Sequence, residues 1–338
     1  MKPMDYLKDL ATCELCEHRC KVNRLADETG ICRVTIPIVA SAALHPAPPA
    51  SYTVFMAGCN FKCLHCQNWT ISQYPDNGFR QRGYEDPYTL AVECIDHLNS
   101  ASAGRIQADR IFFSGGEPTI HLPYIEQVVA EAVKINPAVK INFDTNGYMT
   151  HESLLRVLAF TTSITYDLKA YDDKLHFALT GVSSRPVLRN AGYIGNHAKN
   201  KLWEYRIVVI PKINEDEIKP LCKFIAQIDS SLPVCFLAFR PNFALENHIG
   251  ADRALMNQCV EIARGAGLKN VYWSGYTGIA GTVAQVADAI SKKNAPESAK
   301  IASTYAYLAG CQTHIRNCLT CNTNQACGLK QYIPTRVC

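Results

Sequence analysis

The sequence predicts an α/β fold, a parallel sheet built from alternating strands and helices, with a cysteine-rich extension at either end. Three observations predict it. Between Tyr52 and Trp273 short apolar runs alternate with longer helical stretches, a pattern that builds parallel βαβ units. The unusual residues of this stretch fall just after the apolar runs, where parallel sheets and barrels gather their chemistry. The chain also carries sixteen cysteines, most of them grouped: four in Cys13–Cys32, three in Cys59–Cys66 and five in Cys311–Cys338.

In chain order, residues 1–45 read as a cysteine-rich head, and His45-Pro46-Ala47-Pro48-Pro49 as a stiff linker. Strands are expected at Tyr52–Ala57, Arg110–Phe113, Lys140–Asp144, Ser163–Leu168, Glu204–Ile210, Val234–Phe239 and Asn270–Trp273. A helix starts at Asp86-Pro87, an N-cap followed by proline at the first helical position. Others are expected over Leu122–Ile135, Glu152–Leu158, Glu215–Ile228 and Asp252–Gly265. Six or seven such units suit an open doubly wound sheet or a barrel, and roughly 220 residues leave little room for a full eight-strand barrel. After Gly275 helices are expected at Thr282–Lys293 and Glu297–Leu308, before the cysteine-rich tail. The expected units are therefore 1–45, 46–275 and 276–338.

Composition sets bounds. With 48% hydrophobic and 19% charged residues, the chain has ample material for a core. A net charge of +4 is too small to point to nucleic acid. No run of about 18 apolar residues appears, and Met1–Leu10 carries Asp5, Lys8 and Asp9 in place of a signal-peptide core. A cytoplasmic protein without a membrane span is expected. Disulfides need an oxidising compartment, so clustered cysteines favour metal or cluster ligation. Cys94, Cys222, Cys235 and Cys259 lie inside apolar or helical patterns and read as buried small hydrophobes.

The middle group reads Gly58-Cys59-Asn-Phe-Lys-Cys63-Leu-His65-Cys66, a Cys-x3-Cys-x2-Cys loop after the first expected strand. A zinc site normally wants four protein ligands. Three thiolates on a cubane leave one iron without a protein ligand, which is what a catalytic centre needs. The bland alternative is a zinc or four-iron site completed by a distant residue. Gly115-Gly116-Glu117-Pro118 follows the second expected strand, Asp144-Thr145-Asn146-Gly147 the third and Asp167-Leu168-Lys169 the fourth. Paired glycines permit a close backbone approach to a ligand.

These motifs together resemble the radical S-adenosylmethionine superfamily over about Tyr52 to Trp273. Within it, the stretch Gly58–Ser72 resembles the branch related to pyruvate formate-lyase-activating enzymes. The head, Cys13-x2-Cys16-x3-Cys20 with Gly30-Ile-Cys32, is similar to that of uncharacterised members of the branch. The resemblance implies a partial (β/α)6-type barrel, with a [4Fe–4S] cluster on Cys59, Cys63 and Cys66 whose open iron binds S-adenosylmethionine. Gly115, Gly116, Glu117 and Pro118 would orient the methionine amino group. Asp144, Thr145 and Asp167 would lie near its carboxylate, through a monovalent cation. Arg206 would neutralise that carboxylate or steady the ribose, or serve structure alone. His65 stands where the family usually has a larger aromatic, and is expected to stack on adenine, with proton transfer as the alternative.

The implied reaction is an oxidoreductase's. One electron, from a donor such as flavodoxin or ferredoxin, cleaves the sulfonium to a 5′-deoxyadenosyl radical, and the radical takes hydrogen from a substrate. Such chemistry implies an anaerobic setting. A protein or peptide substrate, acted on by an activase or maturase, is the leading reading. A small molecule or RNA is the second. A non-catalytic iron–sulfur electron carrier comes last, because it would need neither the Gly-Gly-Glu-Pro turn nor the strand-end aspartates. The ferredoxin-like insert of some activases is absent, and no cobalamin-type Asp-x-His-x-x-Gly pattern occurs. In the tail, Cys311, Cys318, Cys321 and Cys327 resemble part of an auxiliary-cluster module, with a structural metal as the alternative. In the head, Cys13, Cys16, Cys20 and Cys32 suit a structural zinc or a second auxiliary cluster equally, with His18 as a substitute ligand.

Overall fold

The computed structural model describes residues 5–245 and 248–275. The helices expected after Gly275 and all the tail cysteines lie outside these residues. The chain opens with a 3-10 segment, Asp5–Thr12, whose Leu7 and Leu10 are buried in the main core. Eight strands then form one sheet in sequential order: β1 Val39–His45, β2 Ser51–Met56, β3 Arg110–Gly115, β4 Lys140–Thr145, β5 Ser163–Asp167, β6 Leu202–Val209, β7 Val234–Ala238 and β8 Val271–Ser274. From β2 to β8 every neighbouring pair is parallel. All seven expected strands are present, each within a few residues of its expected bounds. A sheet that adds each strand beside its predecessor winds steadily round in one direction, as a barrel does, and β1 and β8 are not paired in its order. This is the α/β partial-barrel class expected.

β1 is an unexpected strand. It pairs antiparallel with β2, from Val39 opposite Met56 to His45 opposite Ser51. The Pro-rich stretch read as a linker is the turn of this hairpin, and the boundary expected at residue 45 falls inside it. The sequence Val-Ala-Ser-Ala-Ala-Leu-His holds a single β-branched residue, Val39, and no Phe, Tyr or Trp; pairing with β2 supplies what local propensity does not.

Nine helices are described: α1 Trp69–Ser72, α2 Pro87–Leu98, α3 Ala101–Ile106, α4 Leu122–Ile135, α5 His151–Phe160, α6 Asp173–Thr180, α7 Arg185–His197, α8 Ile218–Ile228 and α9 Arg253–Gly265. Asp86 caps α2, its Oδ1 accepting from Tyr88 N and Thr89 N at 3.0 and 3.2 Å, as expected. The helix expected from Glu215 begins as a 3-10 turn, Glu215–Glu217, before α8. β2 is buried throughout and β3, β4, β5 and β7 nearly so, whereas the edge strand β8 is half exposed; Phe113, Phe143, Tyr166, Tyr205 and Phe236 are among the largest fully buried side chains. Cys94, Cys222, Cys235 and Cys259 are buried thiols, as read. No described helix is long and apolar enough to cross a membrane.

Candidate active site at the strand ends

Parallel strands put all their C-terminal ends on one side, so the segments following β2, β3, β4 and β5 meet there. The cysteine loop after β2 is fixed by its neighbours. Gly116 N donates to Met56 O (2.8 Å) and Glu117 N to Gly58 O (3.0 Å), stitching the turn after β3 to the loop. On the far side, Lys62 N and Leu64 N donate to Thr180 O and Leu179 O, 2.8 and 3.0 Å, at the end of α6. The glycines belong to this stitching. A Cβ on Gly115 would come within 2.3 Å of Met56 O, and one on Gly116 within 1.9 Å of Gly58 O. Their smallness therefore serves backbone against backbone, not only a ligand, as the sequence suggested.

Glu117 has no exposed surface. Its Oε1 accepts from Thr119 N (3.1 Å), Thr119 Oγ1 (2.6 Å) and Thr145 Oγ1 (2.7 Å); its Oε2 accepts from Asn146 N (2.8 Å). Burial pushes this carboxyl up to about 7 despite those donors. The side chain expected to face an amino group is thus occupied with tying the turn after β3 to the turn after β4. Pro118 opens the short 3-10 turn behind it, Pro118–His121.

The acidic residues come with their own cations. Asp144 Oδ2 accepts from Ser114 Oγ at 2.7 Å, and its Oδ1 lies 3.8 Å from Arg206 Nη1. Burial raises Asp144 to about 6; Arg206 opposes that rise and Asp167 adds to it. Asp167 accepts from Lys169 Nζ at 2.7 Å and sits opposite Arg206 across β5 and β6. Burial alone would lower Lys169, but Asp167 and Cys63 beside it hold it above the usual lysine range. The expectation of a bridging monovalent cation rested on two unpaired aspartates; here Lys169 and Arg206 neutralise them. Arg206 also bonds Glu204 and Pro48 O, which ties it to structure as well as to the site.

Cys59 and Cys63 are buried, with Cys66 partly buried beside them. Burial lifts all three above the ordinary thiol value, Cys63 to about 12. Lys169 draws Cys63 and Cys66 back down. Cys59 Sγ accepts from Phe61 N at 3.3 Å and lies 3.8 Å from Asn146 Nδ2; Cys66 Sγ meets Ser72 Oγ at 3.1 Å. His65 is buried, and its Nδ1 has no hydrogen-bond partner among the described residues. Burial, helped by Lys169, lowers its pKa to about 3, so the ring is neutral at physiological pH.

Known proteins share this arrangement of sequence. The profile of the radical SAM superfamily matches residues 53–225. The chain belongs to that superfamily. It is 28% identical over 264 residues to an uncharacterised protein of Methanocaldococcus jannaschii, covering 74% of this chain and 72% of that one. It is 29% identical over 173 residues to the pyruvate formate-lyase 1-activating enzyme of Escherichia coli K12, covering 50% of this chain and 65% of that one. Among solved structures it is similar to Streptococcus suis SuiB bound to S-adenosylmethionine, with a TM-score of 0.49 and 16% identity over 69% of this chain and 50% of that one.

The superfamily implies a [4Fe–4S] cluster and S-adenosylmethionine, and the residues present fit both. Three soft thiols stand together, a cation lies beside two of them, and one imidazole edge is buried with nothing to bond. Among the described residues no three His, Cys, Asp or Glu side chains gather round a point as ligands of a single ion. A cubane gives each thiolate its own iron, so its ligands stand farther apart than those of one zinc.

Sequence reading missed four members of the site. Asn60, whose Oδ1 meets Asn146 Nδ2 at 2.8 Å, and Ser72 stood within the Gly58–Ser72 stretch without a role, and Ser114 lay just after an expected strand with no signal beyond being polar. Lys169 stood in a quoted motif, and its value emerges only when Asp167, Cys63 and Cys66 are seen round it.

Proposed function

We propose that the chain reductively cleaves S-adenosylmethionine at a cluster held by Cys59, Cys63 and Cys66, and uses the resulting radical to take hydrogen from a protein or peptide. The observation that carries the first half is the meeting of those three thiols with Lys169, Asp167, Asp144 and Arg206 at the strand ends. When bound and reduced, the cluster supplies the electron that breaks the sulfur–carbon bond. The chain's residues do the rest. Lys169 offsets thiolate charge at Cys63 and Cys66. Neutral His65 offers an apolar ring face suited to adenine stacking rather than a proton. Arg206 and the Asp144 and Asp167 carboxylates give a polar, charge-balanced wall for a zwitterionic amino acid. The stitched backbones of Met56, Gly58 and Gly116 fix the loop and help exclude water.

A macromolecular substrate is supported by the described sheet, whose edge strands β1 and β8 are not paired with each other, and by the activating-enzyme names of some relatives. Anaerobic reconstitution followed by dithionite and S-adenosylmethionine tests the first half: 5′-deoxyadenosine is expected from the wild type, and loss of at least a hundredfold from Cys63→Ala. A wild-type chain loaded with iron and sulfide that releases none would sink the proposal. For the second half, release is expected to rise when the macromolecular fraction of a host extract is added. Stimulation confined to the small-molecule filtrate would transfer the reading to a small substrate.

A further inference from the structure

Away from the strand ends a second set of thiols converges. Cys13, Cys16, Cys20 and Cys32 line one small internal cavity together with Arg24 and Ile120. The backbone is folded to bring them there. Cys13 N donates to Val22 O (3.1 Å) and Lys21 N to Cys13 O (3.0 Å), closing residues 13–22 into a loop; Arg19 N donates to Cys16 O (2.9 Å) within it. Arg19, Lys21, Asp27 and Arg33 hold φ between 42° and 61°, left-handed conformations that non-glycine residues adopt at a cost. All four thiols are unpaired.

Arg24 is the independent sign that the cavity has an occupant. It is 1% exposed. Its Nε donates to Thr35 O (2.9 Å) and its Nη1 to Ile120 O (2.6 Å), with Cys13 Sγ at 3.8 Å. Its Nη2 is buried with no partner among the described residues. Neighbouring carbonyls solvate a guanidinium but do not neutralise it, and a buried uncompensated charge is expensive. Four neutral thiols do not compensate it either. Four thiolates on a metal carry net negative charge and do.

We propose that Cys13, Cys16, Cys20 and Cys32 bind a four-thiolate metal centre separate from the strand-end site, with Arg24 as its buried counter-cation. The four thiols do not close round a single point, which favours an iron–sulfur cluster, one iron to each thiolate, over a single zinc; both are anionic on four thiolates. The centre does not depend on the reaction proposed above, because Cys59, Cys63 and Cys66 take no part in it.

The test compares metal and sulfide per chain in the full-length wild type and in Cys13→Ser/Cys32→Ser, all other cysteines kept. The pair should lose one centre: about one zinc, or about four iron with as much sulfide. The first result identifies zinc and the second a cluster; unchanged metal content overturns the proposal. In case the double variant misfolds, the native wild type is alkylated and mapped by mass spectrometry. Cys13 and Cys20 are only partly buried, so as free thiols they would label readily. They are expected to resist until an oxidant and a chelator strip the metal, and prompt labelling beforehand overturns the proposal as well. Arg24→Gln should weaken retention of that metal about tenfold against a competing chelator; unchanged retention removes Arg24 from the centre.

Discussion

Glu117 shows at the scale of one residue how this site is held. Four donors from two segments converge on its carboxylate, so removing it leaves several buried donors without a partner. Glu117→Ala is expected to destabilise the chain by about 3 kcal/mol or more, since each orphaned buried group costs about 1–3 kcal/mol. Thr145→Val removes one of those bonds and should cost about 1 kcal/mol. Urea denaturation of the two variants checks the ranking. The same carboxyl sets a pH dependence. Its folded pKa, about 7, stands above its ordinary value of 4.5, so over that interval the folded chain keeps a proton that the unfolded chain has released. Stability contributed by this group is therefore full at low pH and lost as pH rises from about 4.5 to 7, by up to about 3 kcal/mol. Asp144, raised to about 6, acts with the same sign. Denaturation at pH 5 and pH 7 should show the slope, and a Glu117→Gln chain that keeps all of it would refute the assignment. The motif round Glu117 was legible in the sequence. Its distant partners were not, because Thr145 and Asn146 are brought to it by the fold, whereas Thr119 lies two residues along the chain.

Among the elements, the loop after β2 is constrained more tightly than its composition suggests. Gly116→Ala would drive a methyl carbon into Gly58 O. We expect a loss of about 1–3 kcal/mol, as for other overpacked positions, together with poorer iron retention, read by denaturation and by the visible absorbance of the reconstituted chain. Asp86→Ala, at the N-terminus of α2, should cost about 1 kcal/mol and leave that absorbance unchanged. The contrast separates damage to the loop from damage to the scaffold. At this scale the parallel strands were readable because burial on both faces makes each an apolar run. α6 and α7 were missed although signals existed. Asp172 caps α6 through Leu175 N and left-handed Gly181 ends it, while Pro186 sits in the first turn of α7. α6 is short and only weakly amphipathic, and α7, though strongly amphipathic, is polar on average, unlike α4.

Taken whole, the molecule does not divide where its composition changes. The head looked like an appendage because cysteines crowd it, yet Leu7 and Leu10 lie in the main core and β1 extends the sheet. Arg156 of α5 joins Asp9 in the head and Glu126 of α4, at 2.7 and 2.6 Å. Deleting residues 1–38 should therefore cost the barrel its cooperative melt and open it to protease; a truncated chain that melts like the full one would restore the head as a separate unit. Cysteine spacing marks out local groups of thiols. It says nothing about which surface they are packed on, and that surface makes this head part of the barrel.

Asn60 lies where the head meets the loop. Its backbone carbonyl receives His18 Nε2 at 2.9 Å and its Oδ1 receives Asn146 Nδ2 at 2.8 Å; its side chain reaches toward both Cys59 and Cys16. One amide thus stands between the two proposed sulfur centres. Were both filled, each would hold the same residue for the other, and loading would become a cooperative assembly problem. Whatever free energy the first centre lends the second, the second must lend the first in return.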